Sequence, residues 1–199
     1  MDIQVIVTTW GHPSWAGKAS RVAIPSVVEQ DAGIYHHHES LGTPSAGAAR
    51  NRAVEICDPQ EWICFLDADD ELEPGYINAM RRRIFDLNFN RTVLLAPALR
   101  LPGRTPETYE DRDIINGLNP CPIGTLIHRD MFEEAGQFWG EPAWEDWSLF
   151  RRAVLRGATI RFVNDAVYRA NSTRSGRNST VRQPHVLRRD IIRAHEEWL

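Results

Sequence analysis

The chain has 199 residues, 42% apolar and 25% charged, which excludes disordered and fibrous classes and suits one domain whose core needs no disulfide or zinc staple. Its 23 basic and 27 acidic residues leave a net charge of −4 and a pI near 6.0, so neither nucleic acid nor an anionic membrane is indicated as a partner. No apolar run approaches the ~20 residues that cross a bilayer, the N-terminal stretch lacks a basic leader, and Cys57, Cys64 and Cys121 lack a C-x-x-C spacing, so a cytoplasmic protein with reduced cysteines is expected.

Residues 3–9 form a β-branched run closed by Trp10-Gly11-His12-Pro13 and predict a buried first strand. Residues 18–30 predict a helix that starts late or bends at Pro25. Residues 34–38 predict a second strand; successive side chains alternate faces there, so His36, His37 and His38 cannot all ligate one ion. A turn and cap at 42–45 precede an alanine-rich helix over 46–56. Residues 61–66 predict the next strand, which ends in Asp67-Ala68-Asp69-Asp70, and Pro74 is expected in the first turn of a helix reaching about Leu87. A strand over 92–99 leads into a long loop, 100–120, whose length suggests function. Then come a short strand over 121–127 and a short helix over 130–135 stopped by Gly136. Residues 144–156 predict an amphipathic helix with Trp147, Phe150, Ala153 and Val154 on one face and Gly157 at its end. A last strand over 158–163, a polar loop over 171–179 and a helix over 185–199 complete the chain.

Strands that alternate with helices imply an α/β fold, a mostly parallel sheet with helices on both faces. Ligands of such sheets bind beyond the carboxyl ends of the strands, which points to residues 8–11, 39–40 and 67–70. Asp67 and Asp69 stand two apart in extended chain and project to the same side. Neighbouring carboxylates repel unless a cation or proton intervenes, and hard oxygen donors select Mg²⁺, Mn²⁺ or Ca²⁺ over zinc. A second reading makes Asp69, Asp70 and Glu71 the acidic first turn of a helix, favoured by its dipole. An EF-hand is disfavoured, because the loop's required glycine and final glutamate are absent.

Ala49-Arg50-Asn51, the Phe65-Leu66-Asp67-Ala68-Asp69-Asp70 segment, and Glu145-Asp146 with Arg152 and Gly157 follow one another in order. They resemble the A-R-N, F-L-D-x-D-D and E-D…R…G elements of the GT-A-fold, family 2-type glycosyltransferases. Ser26-Val27-Val28-Glu29-Gln30 and residues 124–132 with Gly136-Gln137-Phe138 are similar to further elements of that family, over roughly residues 1–170. The resemblance implies a GT-A (Rossmann-like) catalytic domain over 1–165, with a C-terminal lid loop and helix over 166–199 in the same structural unit. It implies transfer of a sugar, with inversion, from a nucleotide-diphosphate sugar to the hydroxyl of a glycan, protein or small-molecule acceptor, with Mn²⁺ or Mg²⁺ as cofactor.

By the same resemblance Asp69 binds the metal. Asp67 assists it or faces the ribose or sugar of the donor. Asp146 is the catalytic base, Arg50 lies near the nucleotide, and Thr8 and Trp10 flank the nucleobase. Glu39 stands near the family's base-reading aspartates, although 36–40 runs almost directly into the A-R-N helix, as if a strand and its connection were missing. Asn171 occupies the place of a family histidine that helps hold metal or pyrophosphate, with His185 as a substitute. Arginines gathered in 165–199 suit a lid over the diphosphate, since guanidinium forks match phosphate geometry. Two other readings stand beside this one: a non-catalytic nucleotide- or sugar-binding module of the same ancestry, and a nucleotidyltransferase. The latter needs a triphosphate loop rich in glycine and lysine, and Lys18 is the only lysine in the chain.

Overall fold

β1 (Ile3–Trp10) is the inner strand on which the molecule is built, and Ile3, Val5, Ile6 and Val7 are fully buried in it. In this computed structural model, which describes residues 3–39, 45–57, 61–106, 114–115, 119–141, 143–171 and 184–198, β1 pairs in parallel with β2 (Gly33–Glu39) and β3 (Trp62–Leu66). All five residues of β3 are buried, as expected of a strand covered on both faces. The two-residue β6 (Ile127–His128) adds antiparallel to β3 and gives the order β2-β1-β3-β6.

A second sheet has the order β4-β7-β5, from β4 (Glu71–Leu72), β7 (Thr159–Arg169) and β5 (Val93–Arg100). β5 and β7 run parallel, and β4 is antiparallel to β7. An antiparallel bridge, Leu95 to Leu126, joins the two sheets beside β6. The helices are α1 (Ser14–Arg21), α2 (Ala23–Val28), α3 (Ala46–Cys57), α4 (Tyr76–Asp86), α5 (Arg129–Glu134), α6 (Glu145–Leu155) and α7 (Pro184–Trp198). The mostly parallel α/β architecture is therefore present, divided into four strands and three.

Five local expectations are corrected. The first helical stretch begins at Ser14 and breaks at Val22 (φ −122°, ψ −71°), not at Pro25. Pro25 sits in the first turn of α2, where a missing N–H costs no helical bond. Pro74 lies outside α4, which begins at Tyr76 after Gly75 in the left-handed region (φ 88°). Glu71 and Leu72 pair with Arg169 and Tyr168, so Asp69-Asp70-Glu71 is no helix N-terminus and the dipole reading of these acids falls. The strand expected over 121–127 is reduced to Ile127–His128, because the chain turns at Pro122, whose carbonyl accepts from the Thr125 N–H at 2.8 Å. Finally, β7 runs on past Val163 to Arg169 through an irregularity opposite Pro97 and Ala98.

α7 is held by a directional chain of hydrogen bonds around His195, which is fully buried. An Arg151 Nη–H lies 2.7 Å from His195 Nδ1, His195 Nε2 lies 3.0 Å from Ser148 Oγ, and that hydroxyl donates to Glu141. Each donor is matched once only if His195 is neutral with its proton on Nε2. Trp139 stacks edge-on against both His195 and Trp198. Burial first, then Arg152 and Arg151, pull the imidazole down to about 3.

Because an unfolded histidine titrates near 6.5, the unfolded chain binds a proton that the native one refuses between those values. Stability is then lost as pH falls below about 6.5, by up to about 1.4 kcal/mol per pH unit until about pH 3. His195→Gln should flatten this acid limb in urea unfolding followed at pH 7 and pH 5. An unchanged pH dependence would contradict the neutral, buried assignment.

Candidate active site at the strand ends

The parallel register sets Val7 against Leu66, so Thr8 and Asp67 follow side by side where the pairing of β1 with β3 ends. Arg50, buried on α3, reaches both Asp67 and the start of α6. One Nη donates to Asp67 Oδ1 at 2.7 Å, the other donates to Glu145 Oε1 at 2.9 Å, and the guanidinium lies 5.2 Å from the Phe138 ring. Burial alone would favour the neutral guanidine. The carboxylates of Asp67 and then Glu145 outweigh it and hold Arg50 charged, above the ordinary arginine range. This one side chain ties the A-R-N helix, the D-x-D strand end and the E-D helix start into a single cluster.

Asp146 follows Glu145 in the first turn of α6. Trp144, just before, adopts a left-handed conformation (φ 59°), unusual for a bulky residue and typical of strained functional turns. One Asp146 oxygen accepts the Trp147 N–H at 2.7 Å and the other accepts the Asn119 side-chain amide at 3.1 Å. Burial and then the neighbouring Glu145 charge push its carboxyl up to about 6, against these two hydrogen bonds and Arg50. Trp147 itself is core: it is buried, and its indole N–H donates to the Ile114 carbonyl at 3.3 Å.

The second acid of the D-x-D pair, Asp69, meets Lys18 from α1, with Nζ to Oδ2 3.1 Å. The lysine side chain is 42% exposed and the aspartate 27%, so the pair is worth about 0–1 kcal/mol and is easily exchanged. Asp70 points the other way and is buried. It accepts the Tyr168 hydroxyl at 2.6 Å and the Asn171 backbone N–H at 2.8 Å, which fastens the end of β7 to the acidic turn. Burial and then Asp67 raise its carboxyl to about 7. The Asn171 amide donates to Glu71 at 2.8 Å, so this residue braces the turn in the present arrangement.

Gly124 packs against the same tyrosine: a Cβ there would collide with the Tyr168 ring, and the Gly124 carbonyl accepts the Tyr76 hydroxyl. Gly124→Ala is expected to cost about 1–3 kcal/mol, in the range of overpacked cores, read as a lowered urea midpoint at unchanged slope. Wild-type stability in that variant would mean that Tyr168 is free to move.

Thr8 brings a buried hydroxyl to the strand end with no hydrogen-bond partner among the described residues. Trp10 and Glu39 close β1 and β2 opposite one another; the Glu39 side chain lies outside the described residues. His36 and His38 face Thr9, whose hydroxyl is 3.5 and 2.9 Å from their ring nitrogens. His37 instead stacks with Tyr35, so the three histidines do alternate. Of the expected lid loop, 171–179, all but Asn171 lies outside the described residues; His185 lies in α7.

Three of the cluster's residues carry no role in the sequence reading. Lys18 was marked only by being the sole lysine, Glu145 only by standing beside Asp146, and Asn119 by nothing in the pattern.

A small divalent ion fits these donors in part. Asp67 and Asp69 supply hard oxygens, and Arg50 and Lys18 do not offset the charges of Asp67, Asp69 and Glu145. A diphosphate would add further negative charge, so its entry calls for another cation. Among the described residues no three His, Cys, Asp or Glu side chains form a group that could hold a metal ion.

The family model for glycosyl transferase family 2 matches residues 25–134. No curated protein sequence matches. Among solved structures, S. aureus TarS 1–349 in complex with UDP-GlcNAc is similar with a TM-score of 0.72 at 16% identity, covering 98% of this chain and 65% of that one. The same protein in complex with UDP gives 0.63 at 17% identity over 87% and 61%. GalNAc-T7 with UDP, GalNAc and Mn²⁺ gives 0.61 at 14% identity over 86% and 44%. The chain thus spans less than two thirds of each of these structures. No helix among the described residues is long and apolar enough to cross a membrane.

Proposed function

The chain belongs to glycosyl transferase family 2, and on that premise we propose that it transfers a sugar from a nucleoside-diphosphate sugar to an acceptor hydroxyl, with inversion at the anomeric carbon. The observation that carries this reading is the Arg50 bridge, which holds the D-x-D strand end and the E-D helix start together as one site. The solved relatives that bind UDP-GlcNAc, or UDP with Mn²⁺, support a uridine diphosphate donor and a divalent ion. Asp69, with Asp67, would hold that ion, which when bound supplies Lewis-acid stabilisation of the leaving diphosphate.

The residues of the chain do the remaining work. An acceptor hydroxyl is a poor nucleophile until a positioned carboxylate takes its proton. Asp146 is that base: as the acceptor oxygen bonds to the anomeric carbon, the bond to the diphosphate oxygen breaks and the proton passes to the carboxylate. The Trp147 N–H and the Asn119 amide fix the carboxylate's orientation, and its raised affinity for protons makes it a stronger base than an ordinary aspartate. Thr8 and Trp10, with Glu39 on the neighbouring strand, flank the nucleobase. Arg50 acts on the nucleotide side of the site through Asp67. Residues 166–199 act as a lid and brace.

A panel of nucleoside-diphosphate sugars, assayed for nucleoside diphosphate release with Mn²⁺ or with EDTA, tests the reading. Release from at least one donor that EDTA abolishes is the expected result. Absence of release from every donor, with no nucleoside diphosphate bound, would overturn it.

A further inference from the structure

We propose that Lys18 is an exchangeable counter-ion of the donor site: it neutralises Asp69 before loading, and it moves to the donor diphosphate when a divalent cation takes that carboxylate. The inference rests on the donor reading above and adds a residue to it. Three observations carry it. Lys18 is the single lysine among 23 basic residues, and its ammonium lies 3.1 Å from the second acid of the strand-end pair. It stands on α1, which begins four residues past the end of β1, and its side chain is partly exposed, so it meets Asp69 from the solvent side. The ammonium also lies 5.0 Å from the Trp15 ring, a cation–π contact that steadies the side chain without fixing it to one oxygen.

Chemistry explains why a lysine suits this place. The arginine of the site is a planar fork with both ends committed, Arg50 to Asp67 and Glu145. An ammonium is a compact point charge on a flexible four-carbon stem, able to pass from a carboxylate to a phosphate a few ångströms away. Lysine is a common phosphate binder in that sense. A divalent ion on Asp69 and the ammonium repel one another, while the diphosphate attracts both. Metal alone therefore competes with Lys18; metal together with diphosphate recruits it. The same side chain should oppose metal binding in the absence of nucleotide and favour nucleotide binding.

The test measures these two affinities separately in the full chain. Mn²⁺ binding without nucleotide is followed by the free-ion signal in electron paramagnetic resonance, and UDP binding in saturating Mn²⁺ by calorimetry. Lys18→Met should bind Mn²⁺ alone about threefold or more tighter, since a nearby like charge is gone, and UDP about tenfold more weakly. Lys18→Arg, which keeps the charge, should stay near wild type in the first measurement and recover part of the second. Lys18 is partly exposed, and matched circular dichroism and melting curves confirm that each variant folds. Unchanged affinities in Lys18→Met, or losses of both, would overturn the exchange while leaving the donor reading intact. Wild-type protein that binds no UDP would overturn both.

Discussion

Asp146→Asn is expected to lower the rate of sugar transfer by about 10²–10⁴-fold, the usual worth of a positioned general base, while UDP affinity stays within about threefold. The substitution keeps the size and polarity of the side chain, so the contacts with Trp147 and Asn119 can persist with the amide suitably turned. What is lost is the ability to take a proton. The wild-type pH profile carries the same signature. The carboxyl sits at about 6, and only its ionised form accepts a proton. The rate should therefore rise with pH up to and through about 6 and level off above it. Asn119→Ala removes one hydrogen bond to the carboxylate and should move that inflection upward with a smaller loss of rate. Steady-state kinetics from pH 5 to pH 8 check both, and a flat profile in the wild type would remove Asp146 from the role of base.

Arg50→Met is expected to cost about 2–4 kcal/mol of stability. Removing one partner of a buried ion pair typically costs about 3–5 kcal/mol, because the remaining charge loses its counter-charge in a poorly solvated place. Here Glu145 is 16% exposed and Asp67 is 39% exposed, so water relieves part of that penalty. The Met stem preserves contact with Phe138, which separates lost charge from lost packing. Since each 1 kcal/mol moves the melting temperature of a domain this size by about 2–4 °C, the shift should be easily read by calorimetry. Arg50→Lys keeps a charge and still loses the fork, because one ammonium cannot span two carboxylates in this geometry. It should recover stability better than donor binding. Glu145→Gln combined with Arg50→Met should cost less than the two single effects added together, as expected of residues in direct contact.

Much of the scaffold is legible because burial imposes a pattern. β1 reads as a β-branched run, β3 as a continuous apolar run and α6 as a helical stripe ended by Gly157, because buried strands and a half-buried helix leave those signatures. β4 is invisible to such reading: two residues carry no period, and only pairing with β7 makes them a strand. That pairing is also what removes the helix-dipole account of the acids from 69 to 71. The far half of β7 is obscured by Asn164 and Asp165, which belong to an exposed stretch of a strand buried elsewhere. The break of the first helical segment at Val22 is announced by no local signal in the sequence.

The site divides along similar lines. Asp67 and Asp69 stand out as candidates because they follow a recognisable strand, where an α/β sheet binds its ligands, and Asp146 because it falls in the E-D element of the family resemblance. The partners of these acids do not. Arg50 and Glu145 are 95 residues apart, and Lys18 and Asp69 are 51 apart. Propensity and spacing say nothing about such pairs until the parallel register of β1 and β3 has placed the strand ends together. Asp70, the motif's last acid, is buried against Tyr168 and serves as a tether.

The measurement that tests the central claim most directly is a calorimetric titration of UDP into the wild type, once in Mn²⁺ and once in EDTA, repeated with Asp69→Ala. A donor site built on the D-x-D strand end predicts affinity about tenfold or more higher with the ion, and loss of that difference in Asp69→Ala. Equal UDP affinity in Mn²⁺ and EDTA, or an ion effect that survives Asp69→Ala, would contradict it.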